Sequence, residues 1–343
     1  MNPSYPGAFL LDPLELPALA IYLNEMRWLQ TGESVQSAER AGEGNMNCVV
    51  RVRTSESTFI LKQARPWVEK YPHIPAFWDR ALTEASFYRE IEQSAFIRSH
   101  VPDLLAFDSD ERILMLEDLG QSTDLTWLYN SQGQVIPEAD LAALIQFLVT
   151  LHVDFRDQAL ASFFQNQPMR ELNHEHIFSF PLSRSDDHNL NAITPGLAAL
   201  AKQLQSNAKY AATVAELGRR YLDASQGTCL LHGDYFPGSW LNARGRVYII
   251  DPEFGFYGPP EWDLGVMLAH FHLAGQPAEL MAEILKRYQA TAPLNPKLAC
   301  AFAGVEIMRR LIGVAQLPLS CGLDRKRELL DISVSLVLKG SAS

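Results

Sequence analysis

The chain has 343 residues, 47% hydrophobic and 20% charged, with 29 basic against 40 acidic side chains and a formal net charge of −11. A length of this order buries a large core and suits two lobes, and the acidic balance leaves no basic stripe for a nucleic-acid backbone. No apolar run approaches the roughly 20 residues needed to cross a bilayer, and the N-terminus lacks a basic-then-apolar leader, so a cytoplasmic protein with no membrane partner is expected. In chain order, residues 14–26 carry apolar side chains at helical spacing. Within 37–63, Val49, Val50 and Val52 make one β-rich run and Phe59, Ile60 and Leu61 a second, joined by a polar turn at 55–57. An amphipathic helix is predicted over 76–93, and two strands over 101–120 around the polar turn DSDE. Together these predict an α+β lobe with an antiparallel sheet.

Beyond Gly120 the character changes. Helices are predicted over 137–155, 196–222, 261–273, 277–290, 297–316 and 324–338, with one small hairpin from Trp240 to Ile250. The chain is therefore read as an N-terminal lobe, 1–119, and a mostly helical C-terminal lobe, 120–343. Residues 166–195, rich in His, Asn, Asp and Pro, read as a long loop or lid. Cys48, Cys229, Cys300 and Cys321 lie far apart with no CxxC pair, which predicts reduced, mostly buried thiols.

The chemistry concentrates in LLHGDYFPGSWLNARGRVYIIDPEFGFYGPPEWDLG, residues 230–265. Carboxylates placed directly after apolar strands are costly and call for a cation, a proton or a phosphate. Asp234 follows the strand CLL, where it could orient and deprotonate an attacking hydroxyl. Asp251 follows VYII, and Glu253 stands two residues on. In an extended segment both carboxylates would face one magnesium ion, with Ser239 or Asn242 adding an oxygen. His232 reads as a brace for its loop. In the first lobe, the GEGNMN stretch (Gly42, Gly44 and Asn45 among it) lets backbone N–H groups approach phosphates. Lys62 ends the second strand of the hairpin within reach of α- and β-phosphates, and Glu84 on the next helix is its expected partner. Taken singly, Lys62 reads more often as a solvated lysine, Glu84 as a surface carboxylate, and Asp251 as a turn former before Pro252; the order of glycine loop, Lys62 and Glu84 lifts those three above background.

These motifs resemble those of the aminoglycoside phosphotransferase and choline kinase superfamily, which has a protein-kinase-like fold. HGDYFPGS stands with its Asp234 seventeen residues before Asp251. Within the superfamily the chain is most similar to 5-methylthioribose kinases, through GEGNMN, LKQA (61–64), LEDL (116–119), RELNHEHIFSFP (170–181) and DPEFGFYGP (251–259). The resemblance implies ATP and magnesium as cofactors and a small-molecule hydroxyl as acceptor, with Asp234 catalytic and touching the substrate. It implies an adenine hinge at Leu116, Glu117 and Leu119, and a homodimer. It also implies that the adjacent Arg309 and Arg310 grip the sugar. Read from the residues alone, helix 299–316 is apolar nearly all round, so its arginines need partners, and Glu306 at i−3 and i−4 supplies one. The chain departs from the family where Tyr235, Phe236 and Pro237 replace Leu-His-Thr, side chains expected near the acceptor. An aminoglycoside, a fructosamine, choline or another amino alcohol is the alternative acceptor, and an inactive nucleotide-binding module the alternative class.

Overall fold

Alternation of more and less buried side chains along 48–54 and 58–61 builds the central sheet of the first of two units, Met1–Gln121 and Ser122–Ser343. The computed structural model describes residues 9–42, 46–130, 134–157, 159–183, 189–317 and 319–341. In unit one, α1 (Leu16–Glu25) precedes β1 (Val35–Arg40), β2 (Asn47–Thr54) and β3 (Thr58–Ala64). A short pair, β4 (Trp67–Val68) and β5 (Tyr71–Pro75), leads to α2 (Arg80–Ile91), α3 (Ala95–Arg98), β6 (Leu104–Asp108) and β7 (Ile113–Glu117). The five long strands form one antiparallel sheet in the order β1-β2-β3-β7-β6. Lys62 therefore stands in mid-sheet, opposite Val49 on one side and Leu114 on the other. One face of the sheet buries Val50, Val52, Phe59 and Leu61 against Leu19 and Leu23 of α1. Strand β1 escaped the sequence reading because VQSAER is polar and half exposed, as an edge strand can be.

Unit two contains β8 (Ser122–Asp124), α4 (Glu138–Asp154), α5 (Leu160–Phe163), α6 (Gln167–His174), α7 (Leu190–Ile193), α8 (Leu197–Gln205) and α9 (Ala208–Leu222). Then come β9 (Cys229–Leu231), β10 (Trp240–Ala243), β11 (Arg246–Ile249) and β12 (Phe256–Gly258). Four helices close the chain: α10 (Glu261–Leu273), α11 (Ala278–Gln289), α12 (Pro296–Ile312) and α13 (Leu323–Lys339). Every residue of α10 is buried, and α12 packs along it and along α13. The β10–β11 hairpin turns through Arg244 (φ 51°) and Gly245 (φ 76°), two left-handed residues that match the twist of a tight hairpin. It gains a third strand, β8, while β9 pairs with β12.

Two expectations are corrected. The predicted single helix 196–222 is broken at Ser206–Asn207, where the Asn207 side chain accepts from the Tyr210 N–H and starts α9. The predicted loop 166–195 is largely helical in its described part: α6, a π-turn over Glu175–Ser179, a 3₁₀ turn over Phe180–Leu182, and α7. Its polar composition hid two anchors, Met169 and Arg170, both buried.

Candidate active site

In unit one, Lys62 and Glu84 meet as a buried ion pair. The Nζ lies 2.8 Å from Glu84 Oε1 and 2.6 Å from Oε2, with both side chains nearly sealed from solvent. Strand β3 fixes the lysine and α2 the carboxylate. Gly42 follows β1 with φ 76°, in the left-handed region that glycine enters without strain; Gly44 and Asn45 lie outside the described residues. The base of that loop is tied by Arg80, which sequence reasoning missed. Its guanidinium donates to the Asn47 side chain and to the carbonyls of Met46, Arg65 and Phe77. Leu116 and Leu119 are buried, and Glu117 ends β7 with its N–H on the Asp103 carbonyl.

In unit two, the His232–Asp234 loop is held by α10. The N–H groups of His232 and Gly233 donate to the two carboxylate oxygens of Asp263, at 2.7 and 2.9 Å, and the Trp262 indole N–H donates to the Gly233 carbonyl at 2.9 Å. His232 braces the loop as expected, its Nε2 lying 2.9 Å from the Ile250 carbonyl at the head of the DPE turn. Gly233 (φ 89°) runs so close to that turn that an added Cβ would stand 2.0 Å from the Phe254 carbonyl oxygen. Ser239 donates its hydroxyl to the Asp234 carbonyl at 3.1 Å. Asn242 is exposed on β10.

The Asp-x-Glu stretch is not extended, which overturns the geometric reason given for its shared direction. Asp251 is left-handed (φ 70°, ψ 48°) and Pro252–Phe254 form a 3₁₀ turn. Asn166, another residue missed in sequence, clamps this turn by donating to the carbonyls of Glu253 and Gly255, each at 3.0 Å. Glu253 is fully buried, Asp251 partly so. Hard, oxygen-only donors and a carboxylate withdrawn from water are what a magnesium ion selects, so these residues fit one.

Asp234 itself faces α12. Its Oδ1 accepts from Arg310 Nη2 at 3.2 Å and lies 3.9 Å from Arg309 Nη1. Burial pushes its proton affinity up, and the two guanidinium groups only partly oppose this. Glu306, wholly buried, accepts from Arg309 Nη1 (2.8 and 3.0 Å) and Arg310 Nε (2.6 Å). Burial alone would raise its pKa, but the paired arginines hold it well below the usual carboxylate range. Behind it stands His270, whose Nε2 is 3.3 Å from Glu306 Oε1 and whose Nδ1 is 2.5 Å from the Tyr129 hydroxyl. Burial lowers the His270 pKa to about 4, so the ring is neutral, donating to Glu306 and accepting from Tyr129.

Tyr235 corrects a further expectation. Its ring is fully buried, stacked on Phe147, and its hydroxyl donates to the Leu144 carbonyl of α4. Phe236 does reach the site, lying 4.8 Å beneath the Arg310 guanidinium.

A family model described as "Phosphotransferase enzyme family" matches residues 37–298. The chain belongs to this phosphotransferase family. Among relatives, a methylthioribose kinase of Exiguobacterium sibiricum is 26% identical over 89% of each chain. A methylthioribose kinase of Yersinia pseudotuberculosis is 30% identical over 74% of this chain and 62% of its own length. The crystal structure of LicA in complex with AMP superposes with a TM-score of 0.55 at 14% identity, covering 94% of this chain and 98% of that one. The α+β, protein-kinase-like class expected from the motifs is therefore this phosphotransferase's fold.

The residues missed in sequence share one character: Asp263, His270, Asn166, Arg80 and Tyr129 hold other site residues in place. A signal existed for the first two. They are polar residues inside a helix that is otherwise almost wholly apolar, EWDLGVMLAHFHL.

Proposed function

We propose that the chain is an ATP- and magnesium-dependent kinase that transfers the γ-phosphoryl group to a hydroxyl of a small neutral sugar, with 5-methylthioribose the favoured acceptor. The reading rests above all on the Asp234 carboxylate standing 3.2 Å from Arg310 and 3.9 Å from Arg309 in a buried corner. Asp234 would accept the hydrogen bond of the attacking hydroxyl and take its proton as the new oxygen–phosphorus bond forms and the bond to the β-phosphate oxygen breaks. Lys62, steadied by Glu84, would hold the α- and β-phosphates beneath the loop at Gly42, Gly44 and Asn45, with adenine against Leu116, Glu117 and Leu119. Asp251 and Glu253, with Ser239, would hold the magnesium ion, which when bound neutralises phosphate charge. Positioning and charge neutralisation supply most of such a rate.

The charge of the corner supports a neutral acceptor. Two arginines face two carboxylates, Glu306 and Asp234, and His270 is neutral, so no surplus negative charge remains there for an ammonium group. An aminoglycoside or choline would bring its cation beside two guanidinium groups. Two methylthioribose kinases among the relatives point the same way.

The test is ATP- and magnesium-dependent phosphorylation of 5-methylthioribose by wild type and Asp234→Asn. Turnover that falls by roughly 10²–10⁴-fold in the variant, with nucleotide binding retained, is the expected result. Turnover of an amino sugar or amino alcohol, with none of methylthioribose, would overturn the acceptor.

A further inference from the structure

Asp118 stands inside the LEDLG stretch, between Glu117 and Leu119. Its side chain is only 5% exposed, and both carboxylate oxygens are engaged. Oδ2 accepts from Arg51 Nε at 3.0 Å; Oδ1 accepts from Arg51 Nη2 at 3.1 Å and from the Gly120 N–H at 2.9 Å. The same Nη2 donates to the Gly120 carbonyl at 3.1 Å. Burial alone would raise the Asp118 pKa, but the Gly120 N–H and the Arg51 guanidinium together hold it below the usual carboxylate range. Exposed ion pairs contribute little as a rule, whereas a two-pronged pair on a nearly sealed carboxylate fixes geometry.

The arginine comes from a distance in the sheet. Arg51 lies on β2, opposite Glu39 on β1 and Ile60 on β3, and β3 separates β2 from β7. Two strand spacings are about 10 Å, so Arg51 reaches across a whole strand to hold the chain where it leaves β7. That stretch has little else to hold it. Glu117 is the last residue of the ladder, with its N–H on the Asp103 carbonyl. Leu119 is buried, yet among the described residues neither its N–H nor its carbonyl makes a hydrogen bond. A peptide with both polar groups unengaged beside a buried side chain invites a ligand. In the reading above, adenine lies against this residue. Its neighbours on either side, Asp118 and Gly120, are gripped by one guanidinium.

We propose that Arg51 and Asp118 are positioning residues that aim the Leu119 peptide at the nucleotide base and so set the preference for adenine over guanine. The inference rests on the kinase reading above. Along the edge that a peptide reads, adenine carries a donor at N6 and an acceptor at N1. Guanine reverses the order, with an acceptor at O6 and a donor at N1. A peptide fixed in direction fits one order and sets donor against donor in the other. Released from its latch, the peptide tilts to suit either base.

The experiment titrates the full chain with magnesium-ADP and magnesium-GDP by calorimetry, without acceptor, after thermal melts confirm folding. The variants are Asp118→Asn, Arg51→Lys, their combination, and Glu39→Gln, whose carboxylate lies 3.8 Å from Arg51 but is 69% exposed. Wild type should bind ADP at least about tenfold more tightly than GDP. Asp118→Asn and Arg51→Lys should each weaken ADP about five- to tenfold and leave GDP within about twofold, so that the preference collapses. The double variant should be no worse than either single one, as for two halves of one device, and Glu39→Gln should change neither affinity. Should Asp118→Asn fail to fold, Arg51→Lys decides alone, because it keeps the charge on a partly exposed side chain. Variants that melt earlier but keep the ADP preference would reveal a structural tie only and overturn the assignment. A wild type that binds both nucleotides alike would overturn it too. A wild type that binds neither would bring down the kinase reading itself, and the latch with it.

Discussion

Both carboxylate oxygens of Asp263 are taken by consecutive backbone N–H groups, those of His232 at 2.7 Å and Gly233 at 2.9 Å, immediately before Asp234. The same carboxylate lies 3.2 Å from His152 Nε2. The position of the His232–Asp234 loop is thus written by a side chain on α10, thirty residues away.

Asp263→Asn turns one acceptor into a donor facing an N–H group. It should cost about 3–5 kcal/mol, as breaking a buried charged network does, and lower kcat more than it raises either KM. Urea unfolding and steady-state kinetics on the same preparation measure both. A variant of wild-type stability would refute the anchoring role.

Gly233→Ala meets two obstacles together: a left-handed backbone and a contact of 2.0 Å with the Phe254 carbonyl oxygen. The two loops must part. The expected outcome is at least about 2 kcal/mol of lost stability and loss of turnover. Gly42→Ala has the same sign of φ but nothing within 4 Å, so its cost should be only about 1 kcal/mol.

Glu84→Gln removes the carboxylate charge that lies 2.6 Å from the buried Lys62 ammonium. Stability should fall by about 3–5 kcal/mol, and the KM for ATP should rise. Glu84→Gln combined with Lys62→Met should recover part of the stability and none of the activity, which separates the structural from the chemical role.

Acid should destabilise unit two earlier than its carboxylates alone would. His270 and His272 are lowered to about 4, chiefly by burial, against an unfolded value near 6.5. Between those values the unfolded chain binds more protons than the native one, so stability rises with pH there and is lost as pH falls from about 6.5 towards 4. Each histidine contributes up to about 3 kcal/mol of this loss. Urea midpoints at pH 7, 5.5 and 4.5 follow it, and His272→Gln should flatten the slope.

Much of the architecture was legible because it follows from periodicity. The valine and isoleucine runs gave the sheet in unit one, and the later helices fall within a few residues of their predicted ends. Lys62 and Glu84 could be paired from their order, and Arg309 and Arg310 with Glu306 from their setting in an apolar helix. What periodicity could not give was direction. Nothing in DPEF announces that Asp251 is left-handed, or in HGDYF that Tyr235 turns inward to Leu144 while Phe236 turns out under Arg310. The 166–195 segment misled for a related reason. Its polar residues are the visible side of short helices whose hold on the core is a few buried side chains such as Met169, Arg170 and Ile177.

Helix α10 has a consequence for how this chain can change. Asp263 and His270 lie seven residues apart, almost two full turns, so they share one side of the helix about 10 Å apart. One grips the loop that carries Asp234, and the other grips the anchor of the arginines. Inserting or deleting a single residue between them would rotate one against the other by about 100° and uncouple both at once. Because every position of the helix is enclosed, no solvent-facing turn can absorb the slip. Descendants of this sequence are thus free to lengthen their loops, while the seven-residue interval from Asp263 to His270 acts as a fixed gauge.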